Sequence, residues 1–388
     1  MKRTITGIVG GVAALCAAML PVPGTAQNDA DRPVDLFVEG DAGYAGYRIP
    51  AIVRAADGAL LAFAEARRND KHDAGDIDLV MRRSTDGGRT WGPTTVVWDD
   101  GANTCGNPAP VVTGRRGEIV LLATWNAGGD RERAIERNAA SDTRRVFVLR
   151  STDHGRSWSA PREITEAVKL PGWTWYATGP CHAIVKRRAP HKGRLVVPAN
   201  HKRLGDGGAV ESYSQLLYSD DRGATWHLGA VSQCGGNEST VAETGDGALL
   251  LNMRHYARED SLRLYALSTD GGTSWSRRGE WPELVEPRCQ GSMLNLTRRG
   301  RPTRTLLFCN PLHPRKRRNL SLCVSRDDGR SWRHYRTVRA GCAAYSDLVR
   351  LDERRVGVLY ENGDEEDLYR RISFATVDVS PLLGPENQ

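Results

Sequence analysis

The sequence has few cysteine residues and no cysteine-rich motif. It contains eight cysteines in 388 residues, and no two of them are separated by only two residues. Cys16 lies in the N-terminal segment, which leaves an odd number spread over the rest of the chain. A disulfide framework needs an even set of cysteines, and a structural zinc site needs closely spaced pairs of ligands. The cysteine pattern therefore argues against both.

Long hydrophobic runs are also missing, apart from one at the N-terminus. Residues 5–20 form an apolar stretch after Lys2 and Arg3, and Gly24, Thr25 and Ala26 follow it. This order of basic, apolar and small residues is typical of a secretory signal peptide, and the apolar part is short for a membrane span. We predict a signal peptide at residues 1–26 and a soluble mature chain at 27–388. We expect that chain to be exported, periplasmic or extracellular, without a membrane span.

Charge of one sign is not concentrated in any part of the chain. Lysine and arginine number 54 against 47 aspartate and glutamate residues, a formal net charge of +7. The two densest basic clusters, residues 298–301 and 315–318, contain no aromatic residue. Proteins that bind single-stranded nucleic acid combine basic grooves with aromatic side chains on which bases stack. The composition therefore argues against nucleic acid as a partner and favours a small anionic substrate.

One eight-residue pattern, S-x-D-x-G-x-x-W, is repeated five times along the chain. It occurs at residues 84–91, 151–158, 219–226, 268–275 and 325–332. Serine and aspartate side chains can accept hydrogen bonds from backbone N–H groups two residues onward, and glycine accepts a positive φ, so the pattern predicts a tight turn. The tryptophan supplies a large apolar surface for burial. A strand-like run precedes each copy, at residues 77–81, 146–149, 215–218, 263–267 and 321–324.

The spacing of these copies predicts the architecture. Their serines are 49 to 68 residues apart, enough for a four-stranded antiparallel sheet, which is one blade of a β-propeller. Residues 34–55 and 336–379 lie outside the five marked blades, and we expect them to build a sixth blade together, because closing the ring removes exposed strand edges. The predicted fold is an all-β, six-bladed β-propeller in a single domain, with one short helical stretch near residues 131–140.

A second set of motifs lies between the repeats and extends across nearly the whole mature chain. In order, these are residues 47–50 (YRIP), 63–67 (FAEAR), 76–79 (DIDL), 106–110 (GNPAP), 178–180 (TGP), 193–198 (GRLVVP), 237–239 (NES), 250–254 (LLNMR), 317–320 (RRNL), 344–348 (AYSDL) and 359–361 (LYE). Each motif is weak alone, but the ordered set is specific. It resembles the bacterial exo-α-sialidase (neuraminidase) family with Asp-box, or BNR, repeats. The resemblance implies a retaining enzyme, without metal or organic cofactor, that removes terminal sialic acids from glycoproteins, glycolipids or oligosaccharides as a monomer.

The chemistry of the substrate explains why arginines matter. Sialic acid carries a carboxylate on its anomeric carbon, and a guanidinium binds a carboxylate through two parallel hydrogen bonds. The resemblance implies that Arg48, Arg254 and Arg317 hold this carboxylate, and that Glu361 braces Arg48. We expect the three arginines to meet beside Tyr345, although they lie far apart in the sequence.

The same anomeric carboxylate bears on the choice of nucleophile. It would repel a carboxylate nucleophile but not a neutral phenol, and a phenol of pKa near 10 needs a base to react. Sialidases with a tyrosine nucleophile are a known exception to the usual pair of glycosidase carboxylates. The resemblance implies Tyr345 as nucleophile and Glu238 as its base, with Glu243 as a rival base.

A third group must protonate the leaving oxygen and later deprotonate water, which favours a carboxyl group of raised pKa. The resemblance implies Asp73, while Asp70 and Asp76 in the same loop remain alternatives. It also implies that Arg67 and Asn107 contact substituents of the sugar ring. The lining of the N-acetyl pocket stays open among Trp125, Trp173, Trp175 and Met253.

Other functions compete with hydrolysis. Transfer of sialic acid to a sugar acceptor, or an intramolecular reaction that releases an anhydro sugar, would use the same residues. A sialic-acid-binding lectin would need the arginines but not the three catalytic side chains, and a protein-sorting receptor would need neither. The chain departs from the family pattern at Cys181 and His182 and at residues 131–137, near the expected aglycone side of the pocket.

Overall fold

The structure is a computed structural model that describes residues 32–256 and 262–383. The predicted signal peptide lies outside these residues. Strands dominate the described part, beginning with β1 (Val34–Val38). The helices are short: α1 (Glu132–Glu136), α2 (Thr165–Val168) and three 3-10 segments at Asp41–Gly43, Asp206–Gly208 and Ser380–Leu382. The helical stretch predicted near residues 131–140 is confirmed as α1.

The remaining strands form successive antiparallel blades. Blade one contains β2 (Gly46–Arg54), β3 (Leu60–Arg67), β4 (Ile77–Ser84) and β5 (Thr95–Trp98), and blade two contains β6 (Thr104–Val112), β7 (Ile119–Asn126), β8 (Arg145–Ser151) and β9 (Arg162–Glu163). Blade three contains β10 (Trp173–Thr178), β11 (Ile184–Val185), β12 (Leu195–Leu204), β13 (Val210–Ser219) and β14 (His227–Val231), and blade four contains β15 (Gly236–Glu243), β16 (Leu249–His255), β17 (Leu262–Ser268) and β18 (Arg277–Val285). Blade five contains β19 (Ser292–Asn295), β20 (Leu306–Pro311), β21 (Arg318–Ser325) and the first half of β22 (Arg333–Arg350).

Blade six is built from both ends of the chain, as the sequence predicts. It contains the second half of β22, then β23 (Arg355–Asn362), β24 (Arg371–Asp378) and β1, which pairs with β24. Strand β22 passes between blades, since its residues up to Cys342 pair with β21 and those from Ala343 onward pair with β23. Only β1 of the N-terminal stretch joins this blade, because β2 is the innermost strand of blade one. The six-bladed propeller fold is therefore confirmed, with this one correction to its closure.

Each repeated turn joins the third strand of a blade to the fourth. In the first copy, Asp86 Oδ1 accepts hydrogen bonds from the N–H groups of Arg89 and Thr90, both at 3.0 Å, and Ser84 Oγ accepts one from Gly88 at 2.9 Å. The bonds therefore span three and four residues rather than the expected two. Hydrogen bonds from Thr90 also lower the pKa of Asp86 to about 2. The charged turn is thus fixed by its own side chains.

The tryptophans of these turns pack between blades. Trp91 meets Phe374 of blade six edge-on, with ring centroids 5.4 Å apart, inside an apolar cluster that also contains Leu36 and Ile52. A Cβ on Gly88 would lie 2.2 Å from the Phe374 ring, and this residue has a φ of 91°. Glycine is therefore required at this turn by both space and backbone conformation.

The strand directions give the propeller two different ends. Leu60, at the start of β3, is paired with Ser84 of the first repeated turn, whereas Arg67, at the far end of β3, is paired with Ile77. The five turns therefore lie at one end of the blades, and the predicted arginines lie at the other. No helix in the described ranges is long and apolar enough to cross a membrane.

Candidate active site

A cavity of about 370 Å³ opens at the end of the propeller opposite the repeated turns. All the predicted site residues except Glu361 line it: Arg48, Arg67, Asp73, Asn107, Glu238, Arg254, Arg317 and Tyr345. Glu361 is fully buried and contacts Arg48. The volume is within the range of small-molecule sites, about 300–1,000 Å³. The fold thus brings residues that are far apart in sequence to one pocket.

Shifts in strand pairing orient four of these side chains toward the cavity. Arg48, Asn107, Glu238 and Tyr345 lie on the inner strands of four different blades, and in each strand the pairing register shifts at the site residue. Asn107 also has a positive φ of 53°. A bulge adds a residue to one strand and re-aims the side chain it carries. The four bulges explain why these polar groups point to the cavity although their strands are otherwise buried.

Tyr345 and Glu238 are in direct hydrogen-bonding contact in the cavity. The Tyr345 hydroxyl donates to Glu238 Oε1 at 2.7 Å and lies 2.8 Å from Oε2. Arg254 Nη1 donates both to the Tyr345 oxygen at 3.0 Å and to Glu238 Oε2 at 2.6 Å. Burial, together with the charge of Glu238, raises the pKa of Tyr345 well above its usual value, despite the nearby arginines. The phenol is therefore protonated at neutral pH and has a base in contact.

The three predicted arginines surround the Tyr345 ring. The guanidinium carbons of Arg48 and Arg317 lie 5.1 and 5.4 Å from the ring centroid, and Arg254 bonds the hydroxyl. Arg48 is held by Glu361 through two hydrogen bonds of 3.1 and 3.2 Å. The geometry expected from the sequence, three guanidiniums meeting beside Tyr345, is therefore present.

Arg317 differs from the other two arginines in its partners. Its Nη1 donates to the Tyr369 hydroxyl at 2.6 Å, and its Nη2 donates to the carbonyl oxygen of Arg288 at 3.0 Å. No carboxylate among residues 32–256 and 262–383 pairs with it. A half-buried cation without a counter-ion leaves a positive potential in the cavity, which favours an anionic ligand.

Asp73 lies at the mouth of the cavity, and its side chain is 65% exposed. Its Oδ1 is 2.7 Å from Arg67 Nη2 and 3.4 Å from Arg48 Nη1. Burial acts to raise the pKa of Asp73, but the charges of Arg67 and Arg48 outweigh it and hold the pKa below its usual range. The raised pKa expected for Asp73 as a general acid is therefore wrong for this structure, because two guanidiniums face the carboxylate.

The lining of the cavity includes Arg144 and Tyr369, which no sequence motif indicates. Arg144 is buried, donates to Asn107 Oδ1 at 2.5 Å and stacks on Trp175, with its guanidinium carbon 4.0 Å from the ring centroid. Burial lowers the pKa of Arg144 to about 10, which leaves it charged at neutral pH. Glu65 also bonds the N–H of Asn107, at 2.9 Å. Trp175 and Tyr369 line the cavity as well.

The rival residues considered from the sequence lie elsewhere. Glu243 pairs with the buried Lys186 at 3.1 Å, at the end of β15 away from Glu238. Asp76 pairs with Arg68 at 3.3 Å, and Asp70 caps the N–H of His72. None of these carboxylates lines the cavity. Among the tryptophans and the methionine left open, only Trp175 does so, while Trp125, Trp173 and Met253 do not.

His182, where the chain departs from the family pattern, lies outside the cavity. Its Nδ1 is 2.7 Å from Asp347 Oδ1, and its backbone N–H bonds Asp347 Oδ2 at 2.8 Å. This buried pair holds blade three to blade six. A search of the described residues finds no cluster of three or more histidine, cysteine, aspartate or glutamate side chains arranged to hold a metal ion.

Comparison with known proteins finds that this chain is similar to sialidases. The family model for a BNR repeat-like domain matches residues 58–358. A sialidase of Micromonospora viridifaciens is 32% identical over 372 residues, covering 90% of this chain and 57% of the relative. Sialidase-3 of Mus musculus is 30% identical, covering 91% of this chain and 96% of the relative. The solved structure of the Hadza microbial sialidase Hz136 has a TM-score of 0.78 and 28% identity, covering 90% of this chain and 69% of that one.

The chain thus spans little more than half of the bacterial relative but nearly all of the mouse one. The family match reaches all six blades in whole or in part and includes Tyr345, Glu238, Arg254 and Arg317, whereas Arg48 lies just before it. Together with the shared propeller, these matches show that the chain belongs to the sialidase family with BNR repeats.

Proposed function

We propose that this protein is an exo-α-sialidase that hydrolyses terminal α-linked sialic acids with retention of configuration. The observation that carries the proposal is the hydrogen-bonded group of Tyr345, Glu238 and Arg254 beside two further guanidiniums. It supplies a nucleophile, a base and an anion site within one cavity. The cavity is of a size for one sugar residue, which supports action on terminal units.

Substrate recognition begins with the anomeric carboxylate. Arg254 and Arg48 keep their glutamate partners, so each is already oriented, whereas Arg317 has only neutral partners. The incoming carboxylate supplies the missing negative charge and binds all three guanidiniums. Arg67, Asn107, Arg144 and Trp175 line the same cavity and offer polar and aromatic contacts to the ring substituents.

In the first chemical step the Tyr345 oxygen attacks the anomeric carbon, and its proton passes to Glu238. Arg254 stabilises the developing phenolate charge through its 3.0 Å contact with the oxygen. The bond from the anomeric carbon to the leaving oxygen breaks, and Asp73 gives that oxygen its proton. Binding of a carboxylate neutralises Arg48 and excludes water, so the pKa of Asp73 rises when the substrate is bound.

In the second step Asp73 takes a proton from a water molecule, whose oxygen attacks the anomeric carbon from the vacated side. The bond to Tyr345 breaks, and the phenolate recovers its proton from Glu238. Two displacements at one carbon return the original configuration. The residues required are all within the chain, so the proposed reaction uses no metal or organic cofactor.

The proposed substrates are sialylated glycoproteins, glycolipids or oligosaccharides outside the cytoplasm. The cationic lining of the cavity, which favours an anionic sugar, and the family membership support this class. We include export and a monomeric state in the proposal, on the basis of the N-terminal sequence and the resemblance.

Product analysis by NMR during turnover tests the reaction type. With 3′-sialyllactose, we expect the α anomer of free sialic acid to appear first and to convert to the β anomer by mutarotation. Early release of the β anomer would contradict a covalent Tyr345 intermediate. A sialylated acceptor, or an anhydro sugar, as the main product would instead identify one of the two transfer reactions.

We expect Arg317→Lys to raise KM for 3′-sialyllactose about 10- to 100-fold with a smaller change in kcat, because lysine cannot bind a carboxylate through two parallel bonds. Steady-state kinetics measure both parameters. Arg318→Lys is the matched control, since Arg318 pairs with Glu365 at 3.6 Å and does not line the cavity. Equal KM values for the two variants would show that Arg317 does not bind the carboxylate.

A further inference from the structure

A second cavity, of about 540 Å³, adjoins the first at the mouth of the proposed active site. The two cavities share His72, Asp73, Glu132 and Tyr256. Asp73 is the group that we propose to protonate the leaving oxygen. The part of a substrate beyond that oxygen, the aglycone, therefore extends from Asp73 into the second cavity.

Helix α1 places three arginines around this second cavity. Arg131, Arg133 and Arg137 line it, and all three are exposed. Within the described parts of the chain, none of their guanidinium groups makes a hydrogen bond or an ion pair with another residue. Among the described residues, three cations thus face one open pocket without a bonded counter-ion.

Among the described residues, the carboxylates that line the same cavity are outnumbered by its cations, four against three. Glu132 lies 2.7 Å from the buried ammonium group of Lys202, which also pairs with Glu136. The attraction of these glutamates outweighs burial and raises the pKa of Lys202. Asp73 pairs with Arg67. Lys202 balances one of its two glutamates, so the described lining keeps a net positive charge that the three α1 arginines supply.

The backbone of the short helix is anchored, which fixes the positions from which its arginine side chains extend. Asp130, directly before it, is buried and accepts hydrogen bonds from the N–H groups of Ser141 and Asp142 at 2.9 and 3.0 Å. Ile135 packs into the protein with 2% of its surface exposed. A rigid support reduces the entropy cost of binding a ligand to these side chains.

We propose that the second cavity is an aglycone subsite for an anionic sugar, in which the three α1 arginines bind a carboxylate or a sulfate group. This deepens the proposed sialidase function and depends on it. The chain then removes a terminal sialic acid faster when the next sugars carry a negative charge. Because the arginines are exposed, the preference weakens as salt concentration rises.

The test compares kcat/KM for three glycans that share a terminal sialic acid: neutral-aglycone 3′-sialyllactose, α2,8-linked disialyl-lactose, and 3′-sialyl-N-acetyllactosamine sulfated on the glucosamine. We expect the wild type to prefer at least one anionic aglycone by about tenfold at low salt. A preference only for the disialyl glycan assigns a carboxylate, and one only for the sulfated glycan assigns a sulfate. In 0.5 M sodium chloride the preference should shrink severalfold.

The decisive variant replaces Arg131, Arg133 and Arg137 together by alanine. We expect it to lose the preference while 3′-sialyllactose turnover stays within about twofold. The matched control replaces Arg298, Arg299 and Arg301 by alanine, which removes the same charge from a hairpin at the end of the blades where the repeated turns lie. Equal wild-type rates on all three glycans, or a preference that the α1 variant retains, would overturn the subsite alone. No turnover of 3′-sialyllactose by the wild type would overturn the proposed function, and the subsite with it.

Discussion

Tyr345→Phe should lower kcat for an aryl α-sialoside by at least about 10³-fold, the largest effect expected of any single substitution in this chain. The change removes the oxygen that lies 2.7 Å from Glu238 and 3.0 Å from Arg254, and with it the covalent route. Glu238 and Arg254 remain paired at 2.6 Å, so the cavity should keep its shape. Release of the fluorescent or coloured aryl group measures the loss.

Tyr369→Phe is the matched control for this variant. Tyr369 lines the same cavity, but its hydroxyl accepts from Arg317 rather than donating to Glu238. We expect it to change KM modestly and kcat little. Intact mass after incubation with 2,3-difluorosialic acid gives a second readout, since the wild type and Tyr369→Phe should gain one sugar mass and Tyr345→Phe should not. Undiminished turnover by Tyr345→Phe would remove Tyr345 from the mechanism.

The propeller could be predicted from sequence because its repeated turns are local. Ser84, Asp86 and Gly88 act on backbone groups within four residues, so one eight-residue pattern both fixes the turn and marks the blade. Closure of the ring was also predictable, since unpaired edges are unfavourable and both ends of the chain remained. The repeats did not allow us to predict that β2 belongs to blade one, because no copy of the turn pattern precedes this strand.

The site could be predicted only where motifs mark it. Tyr345, Glu238 and the three arginines each lie in a recognisable short motif, and the structure brings them together. Arg144 has no such motif, and its place in the cavity depends on pairing between strands and on the burial of Trp175. The pKa of Asp73 was predicted with the wrong sign because it depends on the charges of Arg67 and Arg48, whose distances no sequence pattern contains.

The arrangement of cations connects recognition to catalysis. Burying like charges close together is costly unless each has a partner, and here Glu361 and Glu238 compensate Arg48 and Arg254. In the proposed mechanism Glu238 also acts as the base for Tyr345, to which it is hydrogen-bonded. The contact with Arg254 holds the Glu238 carboxylate next to the Tyr345 hydroxyl. In the proposed mechanism the Arg254 guanidinium therefore positions both the nucleophile and the carboxylate of the substrate.

Asp73→Asn should separate substrates by their leaving groups. With 3′-sialyllactose, whose leaving alkoxide needs a proton, we expect kcat to fall about 10²- to 10⁴-fold. With an aryl sialoside, whose phenolate leaves unaided, we expect a loss of less than about tenfold in the first step. Asp70→Asn, in the same exposed loop, is the control, because asparagine can still accept the hydrogen bond from His72. Steady-state kinetics give kcat/KM, which reports the first step alone, and equal losses of kcat/KM on both substrates would mean that Asp73 is not the acid.

The pH profile of the wild type provides an independent check on Asp73. The general acid must be protonated, so activity on 3′-sialyllactose is lost as pH rises through its pKa. In the free enzyme Arg67 and Arg48 hold that pKa below the usual range, whereas a bound carboxylate neutralises Arg48 and raises it. Since kcat/KM reports the free enzyme and kcat the complex, the falling limb of kcat should lie at higher pH than that of kcat/KM. If the two falling limbs coincide, substrate binding does not raise the pKa of Asp73. Arg67 and Arg48 would then keep that pKa low in the substrate complex as well.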